Sequence, residues 1–138
     1  MSSLASCLFC KIIKGDIPSK KILETAHSFA FLDIGPLSKG HSLIIPKHHG
    51  EKLHDIPDEY LADVMPVAKK VAVATGATDY NILQNNGTIA HQVVPHVHFH
   101  VIPKPSASDT EGLVIGWPTK PADPAELEKL LEEMKGRL

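Results

Sequence analysis

Residues 96–103, with the sequence His-Val-His-Phe-His-Val-Ile-Pro, alternate polar and apolar side chains before they end in an apolar pair and a proline. This pattern predicts a β-strand with one buried face. Because side chains alternate across a strand, His96, His98 and His100 should share one face, with neighbouring imidazoles roughly 6 to 7 Å apart. A half-exposed strand does not require three histidines. The pattern therefore indicates chemistry: either a metal site, or one reactive histidine that two others hold in place.

The composition is that of one ordinary globular domain. With 138 residues, the chain is long enough to close a hydrophobic core unaided, and we expect a single domain over residues 1–138. Residues 103–109 are typical of a linker, so a C-terminal extension should begin at about residue 104. The net charge of -2 provides no basic surface for nucleic acid or for an anionic membrane, so neither is expected as a partner.

The sequence also bears on where the protein works. No apolar run approaches the length of a membrane span, and residues 1–5 lack the basic and long apolar parts of a signal peptide. We therefore expect an intracellular protein, in the cytoplasm or also in the nucleus. The only cysteines, Cys7 and Cys10, form a C-x-x-C pair, which in a reducing compartment indicates metal or redox chemistry more than a structural disulfide. Two reduced thiols without a ligand remain an alternative.

The remaining periodicity predicts an α+β fold, with an antiparallel sheet of about five strands, one long helix and short helices near both ends. The predicted helices span residues 7–14, about 57–75, and a last segment that starts with a capping-box pattern at Asp123. The predicted strands span residues 20–24, 28–33, 42–45, 80–84 and the histidine segment. Pro66 lies inside the long helix and should kink it or cost about 3 kcal/mol relative to alanine. The last helix should bury an apolar stripe of Leu127, Leu130, Leu131 and Met134.

Several sequence blocks accompany the histidine strand in a fixed order. They are CLFCKIIKGDIP at 7–18, FLDIGP at 31–36, GHSLIIPKHH at 40–49 and the segment 85–100 with its Gln92. Together they resemble the histidine triad (HIT) superfamily, and within it the Hint-like branch of small nucleotide-binding proteins. The Gly-Trp-Pro at 116–118 is similar to the tail of the fungal members. An H-x-H-x-H motif alone would be weak evidence for the family, but the blocks together cover most of the chain.

The resemblance implies a HIT-like fold and an activity. Hint-like proteins are homodimeric nucleoside phosphoramidases, which hydrolyse the P–N bond of purine nucleoside phosphoramidates, such as adenosine 5'-monophosphoramidate or AMP-lysine, through a nucleotidyl-histidine. The expected products are an amine and AMP or GMP, with no cofactor required for catalysis. Two alternatives stay open: a dinucleoside polyphosphate hydrolase of the same superfamily, and a purine nucleotide-binding adaptor without catalysis.

The same resemblance implies catalytic roles for four histidines. His98, the middle member of the triad, is the expected nucleophile, and it is also the only one with an imidazole neighbour on each side. Imidazole suits this task because its ordinary pKa near 6.5 leaves it mostly neutral at pH 7. His100 would contact a phosphate oxygen or the leaving group, and His96 would brace the site. His41, in the GHSLIIPK block, would lie near the catalytic imidazole.

The nucleotide-binding residues are likewise implied by the resemblance. Asp33 would accept from the ribose hydroxyls, Asn85 would contact phosphate or ribose, and Trp117 would reach the active site of the partner subunit. Apolar residues would line the base pocket, although the sequence does not distinguish a pocket wall from ordinary core. The full set is Leu8, Phe9, Ile12, Phe31, Leu32, Asp33, Ile34, Asn85, Gln92, Val93, His98, His100 and Trp117.

One segment departs from the wider family pattern. Many relatives read Ala-Gly-Gln followed by Ser or Thr, whereas this chain has Ala90-His91-Gln92-Val93. Val93 has no hydroxyl, so a hydrogen bond to the phosphate or the leaving amine should be missing. His91 either substitutes as a donor or only caps the turn.

Two metal sites are conceivable. A catalytic zinc on the three strand histidines is the weaker account, because no H-E-x-x-H motif or carboxylate partner flanks them. Some family members instead pair their C-x-x-C with the histidine after the I-P-K block and with the first triad histidine. Here these residues are Cys7, Cys10, His49 and His96, with His48 as a competitor for the third place. Two thiolates and two imidazoles satisfy tetrahedral zinc, so a structural zinc is expected.

Overall fold

The structure is a computed structural model that describes residues 2–138. Its helices are α1 (Leu8–Lys14), α2 (Asp58–Thr75) and α3 (Pro124–Lys135), with single 3-10 turns at Leu53–Asp55 and Thr88–Ala90. Its strands are β1 (Lys21–Glu24), β2 (Ser28–Leu32), β3 (Ser42–Pro46), β4 (Tyr80–Gln84) and β5 (Phe99–Pro103). The strands form one antiparallel sheet in the order β1-β2-β3-β5-β4. The predicted α+β class with five strands is confirmed.

Helices cover both faces of the sheet, so side chains are buried on both sides of it. On one face, Val64 and Val71 of α2 pack with Ile44, Val97 and other buried residues. On the opposite face, α1 packs through Phe9, Cys10 and Ile12 against β2 and β3. All five residues of β3 are buried. Burying one such aliphatic or aromatic side chain contributes about 1.5 to 3 kcal/mol, so the two layers supply most of the driving force for this fold.

The histidine segment forms a shorter strand than predicted. Pairing begins only at Phe99, because the preceding backbone bonds elsewhere: the Val97 N–H donates to Gly50 O at 2.8 Å. The predicted alternation of faces nevertheless holds, since Val97, Phe99 and Val101 lie in the α2 core and the histidines face away. The ring centroids of His98 and His100 lie 4.9 Å apart, closer than predicted, because the two rings tilt toward each other.

The prediction for α3 is wrong in one respect. The helix forms, and the Asp123 side chain caps it by accepting from the Ala125 N–H, but no residue of the helix is buried. Its apolar stripe stays between 44% and 55% exposed: Leu127, Leu130, Leu131 and Met134. The physical reason is that α1 and α2 already cover the two faces of the sheet, so α3 does not pack into either core cluster.

The long helix α2 runs without a break through Pro66, which lies on its exposed side. Its N-terminal half is tied to the β1–β2 hairpin, where the Thr25 and Ser28 hydroxyls each donate to Asp63 at 2.6 Å. Among the residues described, none of the helices has both the length and the apolar composition needed to cross a membrane.

Candidate active site

His98 lies at the centre of the site with one ring nitrogen already committed. Its Nδ1 lies 2.7 Å from the carbonyl oxygen of His96, so Nδ1 carries the proton and donates, and Nε2 keeps its lone pair. The Phe9 ring packs edge-on at 5.0 Å between centroids. Burial lowers the pKa of His98, opposed by its hydrogen bond to the His96 carbonyl and by the charge of Asp33. A neutral imidazole with a free Nε2 is the form that can attack an electrophile.

A relay of hydrogen bonds orients His100. The Leu37 backbone N–H donates to His41 Nδ1 at 3.0 Å, so the proton of a neutral His41 must sit on Nε2. His41 Nε2 lies 2.9 Å from His100 Nδ1 and donates to it. The proton of His100 is therefore on Nε2, where it is available as a donor to a ligand. Burial lowers the pKa of His41 and takes that of His100 to about 4, which keeps both rings neutral at pH 7.

Asp33 borders the same histidines. Its Oδ1 accepts from the Gly35 N–H at 2.8 Å, and its Oδ2 lies 3.5 Å from His41 Nε2. The first contact fixes the carboxylate in the turn that follows β2. The second carboxylate oxygen keeps acceptor capacity for a donor on a ligand, such as a hydroxyl.

His96 faces away from this group and joins a second cluster. The His96 ring, which is fully buried, donates from Nε2 to Pro46 O at 2.9 Å, so its Nδ1 lone pair is free. That nitrogen lies 3.4 Å from Cys7 Sγ, 3.6 Å from Cys10 Sγ and 3.2 Å from His49 Nδ1. His48 does not join the cluster; its Nδ1 instead accepts from the Ser2 N–H.

The distances in this cluster match the edges of a zinc coordination tetrahedron. With ordinary Zn–S and Zn–N bond lengths, a sulfur and a nitrogen ligand lie about 3.5 Å apart and two nitrogens about 3.3 Å apart. All four ligand atoms lie within 4.8 Å of one another. Burial raises the pKa of the Cys7 thiol, which favours the neutral form until a cation compensates the thiolate. The residues present therefore fit a zinc ion.

A cavity of about 550 Å³ opens beside His98 and His100. Most of the predicted nucleotide-binding residues line it: Leu8, Phe9, Ile12, Phe31, Leu32, Asp33, Ile34, Asn85, Val93, His98 and His100, together with His41. Phe9, Ile12 and Phe31 are both core and cavity wall, whereas Leu8, Leu32 and Ile34 are exposed. The apolar wall next to a carboxylate and imidazoles suits a ligand with an aromatic base, a sugar and a phosphate.

Two predicted nucleotide-binding residues do not line this cavity. Gln92 is a buried brace: its Oε1 accepts from the Gly87 N–H at 2.7 Å and its Nε2 donates to Glu51 O at 2.6 Å. Trp117 lies 65% exposed in the tail. A sequence block assigns a residue to a region without showing where its side chain points, and a nucleotide-binding role for Gln92 and Trp117 stays a prediction.

Sequence reasoning missed other parts of the wall. Leu43 of β3 and Leu83 of β4 each lie opposite His100 in a neighbouring strand, and both line the cavity. Their place follows from strand register, which local periodicity does not reveal. Leu113 also lines the cavity, although it lies in the tail. His91, predicted either to substitute as a donor or to cap the turn, is a wall residue as well.

Comparison with known proteins agrees with this geometry. A family model described as the HIT domain matches residues 14–107. An adenosine 5'-monophosphoramidase of Saccharomyces cerevisiae is 58% identical over 97% of this chain and 84% of its own length. One of Schizosaccharomyces pombe is 56% identical over 96% of this chain and 98% of its own. The crystal structure of a histidine triad nucleotide-binding protein from Candida albicans superposes with a TM-score of 0.90 at 54% identity, covering 96% of both chains.

Proposed function

The chain belongs to the HIT domain family, and from this premise we propose that it is a hydrolase, a nucleoside phosphoramidase that releases AMP or GMP from purine nucleoside phosphoramidates. The observation that carries the proposal is the state of His98. Its Nδ1–H is committed to the His96 carbonyl, so Nε2 keeps its lone pair, and the residue lines the cavity. This is the arrangement that nucleophilic attack on phosphorus requires.

The proposed reaction has two displacements at phosphorus. In the first, His98 Nε2 forms a bond to the α-phosphorus, the P–N bond breaks, and the amine leaves with one added proton. In the second, water attacks the nucleotidyl-histidine, loses a proton, and returns His98 to its neutral form. Negative charge grows on the phosphate oxygens in both steps, and the Nε2–H of His100 is the donor placed to stabilise it.

Substrate binding uses groups outside the triad. The Asp33 carboxylate accepts from the ribose hydroxyls, and the apolar wall formed by Leu8, Ile12, Phe31 and their neighbours holds the purine. Asn85 contacts the phosphate or ribose from the loop after β4. Because these contacts do not involve the nucleophile, binding and turnover can be separated by substitution.

We further propose a structural zinc ion held by Cys7, Cys10, His49 and His96, in support of which the four ligand atoms converge. When bound, a structural zinc supplies folding free energy, and catalysis requires no other cofactor. His96 would then act by position: its carbonyl orients His98 while its ring belongs to the cluster. Metal analysis of protein purified without chelator should find about one zinc per chain. Absence of zinc, with native Cys7 and Cys10 fully alkylated, would contradict this site.

The protein is proposed to work as a homodimer inside the cell, as one domain over residues 1–138 with a tail from about residue 104. Reduced Cys7 and Cys10 suit an intracellular location, in the cytoplasm or also the nucleus. Pairing around a two-fold axis would bury the exposed stripe of α3 and could place Trp117 at the partner's active site. Light scattering should give twice the chain mass at micromolar concentration, and a monomer would contradict the dimer.

The function is tested by replacing His98 with asparagine. Asparagine keeps a donor near the position of Nδ1 for the His96 carbonyl, but it has no nucleophilic nitrogen. His98→Asn should lower turnover of an adenosine phosphoramidate by several orders of magnitude and leave AMP affinity within a few-fold. His54→Asn is the matched control, because His54 is 79% exposed and lies outside the cavity.

Rapid quenching of the wild-type protein should trap AMP on His98 through an acid-labile bond. AMP trapped on another residue, or near-normal turnover by His98→Asn, would refute the mechanism. Faster turnover of a dinucleoside polyphosphate than of the phosphoramidate would assign the protein to the other hydrolase class. Nucleotide binding without turnover of either substrate would indicate an adaptor.

A further inference from the structure

His91 has a backbone conformation that only glycine adopts elsewhere in the described chain. Its φ of 70° makes it the one non-glycine residue with positive φ among residues 2–138. An L-residue in this left-handed region costs about 1 to 2 kcal/mol compared with its ordinary conformations. Glycine would remove that cost, so the fold gains no stability from a histidine at this position.

The loop around His91 is held by backbone groups. The His91 N–H donates to Thr88 O at 3.0 Å, and the carbonyl of His91 accepts from Asn85 Nδ2 at 3.3 Å. Gln92 braces the same loop through the Gly87 N–H. None of these bonds uses the imidazole of His91. His91 is exposed to solvent and is one of the residues that line the cavity.

The other titratable groups of the wall are unsuited to bring a proton into the site. They are Asp33, His41, His98 and His100. Burial lowers the pKa of all three of these histidines, and the donor and acceptor nitrogens of His41 are already engaged. The described lining contains no lysine or arginine. A neighbouring segment contacts the loop around His91: the Lys52 side chain approaches Gly87, and the Glu51 carbonyl accepts from the Gln92 side chain.

Cleavage of a P–N bond needs such a proton, because an amine cannot leave as an anion. The neighbouring Val93 is 80% exposed and has only methyl groups to offer. The exposed residue His91, by contrast, carries an imidazole, a side chain that can donate a proton.

We propose that His91 is the general acid for the leaving amine, an inference that rests on the proposed phosphoramidase function. As His98 Nε2 bonds to phosphorus and the P–N bond breaks, the amine nitrogen takes the proton of the His91 imidazolium and leaves as a neutral amine. Neutral His91 then accepts a proton from the water that attacks the nucleotidyl-histidine, which restores both residues. Selection for substrates with basic amine leaving groups follows from this role.

The test compares two leaving groups in His91→Asn and His91→Gly. Both replacements tolerate positive φ, so the loop should keep its conformation. An adenosine 5'-phosphoramidate of an alkylamine needs a proton on its leaving group, whereas the p-nitrophenyl ester of AMP releases a stable anion. Measured in the first turnover, before hydrolysis of the nucleotidyl-histidine, each variant should lower the rate of amine release from the phosphoramidate about 100-fold, the usual size of general acid catalysis, and the rate of p-nitrophenol release from the ester less than about threefold.

The outcomes separate this inference from the function on which it rests. Equal losses with the two leaving groups would show that His91 only shapes the loop, and no loss with either would show that it has no role; each result overturns the inference and leaves the phosphoramidase function standing. A wild-type protein that cleaves the ester but not the phosphoramidate would contradict the proposed function and, with it, the role of His91.

Discussion

Replacing His41 should uncouple the hydrogen-bond relay that orients His100. His41 is 4% exposed and holds two partners at once, the Leu37 N–H at 3.0 Å and His100 Nδ1 at 2.9 Å. His41→Ala removes both contacts. His100 then loses the donor that places its own proton on Nε2, and the Leu37 N–H loses its acceptor.

The expected magnitudes follow from those two contacts. Two polar groups lose their partner, the Leu37 N–H and His100 Nδ1, and each such loss costs about 1 to 3 kcal/mol. Water that enters the space vacated by the ring lowers the cost. His41→Ala should therefore lower the free energy of unfolding by about 2 to 4 kcal/mol. Without the donor from His41, His100 is no longer held in one tautomer and one orientation. We therefore expect kcat/KM for an adenosine phosphoramidate to fall about 10- to 100-fold, a loss of transition-state stabilisation of about 1.4 to 2.7 kcal/mol.

A second variant separates the two effects. In His41→Asn, the amide oxygen can take the place of Nδ1 and accept from the Leu37 N–H, but the shorter side chain does not reach His100. This variant should recover part of the stability of His41→Ala while keeping most of its loss of kcat/KM. Urea unfolding measures the first quantity, steady-state turnover the second, and ¹⁵N chemical shifts of the His100 ring report its tautomer. A wild-type proton on His100 Nδ1, or normal kcat/KM in His41→Asn, would refute the relay.

Two further predictions concern stability. The folded pKa of His100, about 4, lies below its ordinary value of 6.5, so the unfolded chain binds more protons between these values; stability is full above pH 6.5 and falls as the pH drops to 4. After allowance for partial solvent exposure, His100 should account for about 2 kcal/mol of the stability lost between pH 7 and pH 4.5, so His100→Asn should lose about 2 kcal/mol less than the wild type in urea unfolding over this interval. If the cluster of Cys7, Cys10, His49 and His96 holds zinc, a chelator should lower the Tm of the wild-type protein by several degrees. It should leave the Tm of Cys10→Ala unchanged, because this variant has already lost the free energy of zinc binding. Equal responses of the two proteins to chelator would contradict this.

Local pattern accounted for most of the secondary structure. The strand predicted at 80–84 matches β4 without error, and α1 and α2 end where predicted, at Lys14 and Thr75, each followed by a glycine with positive φ. These features depend on neighbours along the chain, namely side-chain alternation, helical periodicity and the positive φ that glycine adopts at low cost. The predicted start of β5 was wrong because the Val97 N–H donates to the carbonyl of Gly50, a residue that no local sequence pattern relates to Val97.

The tertiary structure decided which predicted residues meet. The sequence by itself determined the α+β class, the alternating faces of the histidine segment and, through the family resemblance, the members of both histidine clusters. Only the folded chain decided that Gln92 braces a loop, that Leu43 and Leu83 flank His100, and that the stripe of α3 stays exposed. The physical reason is that periodicity reports which side of an element is apolar, whereas register and packing between distant segments choose the surface that this side meets.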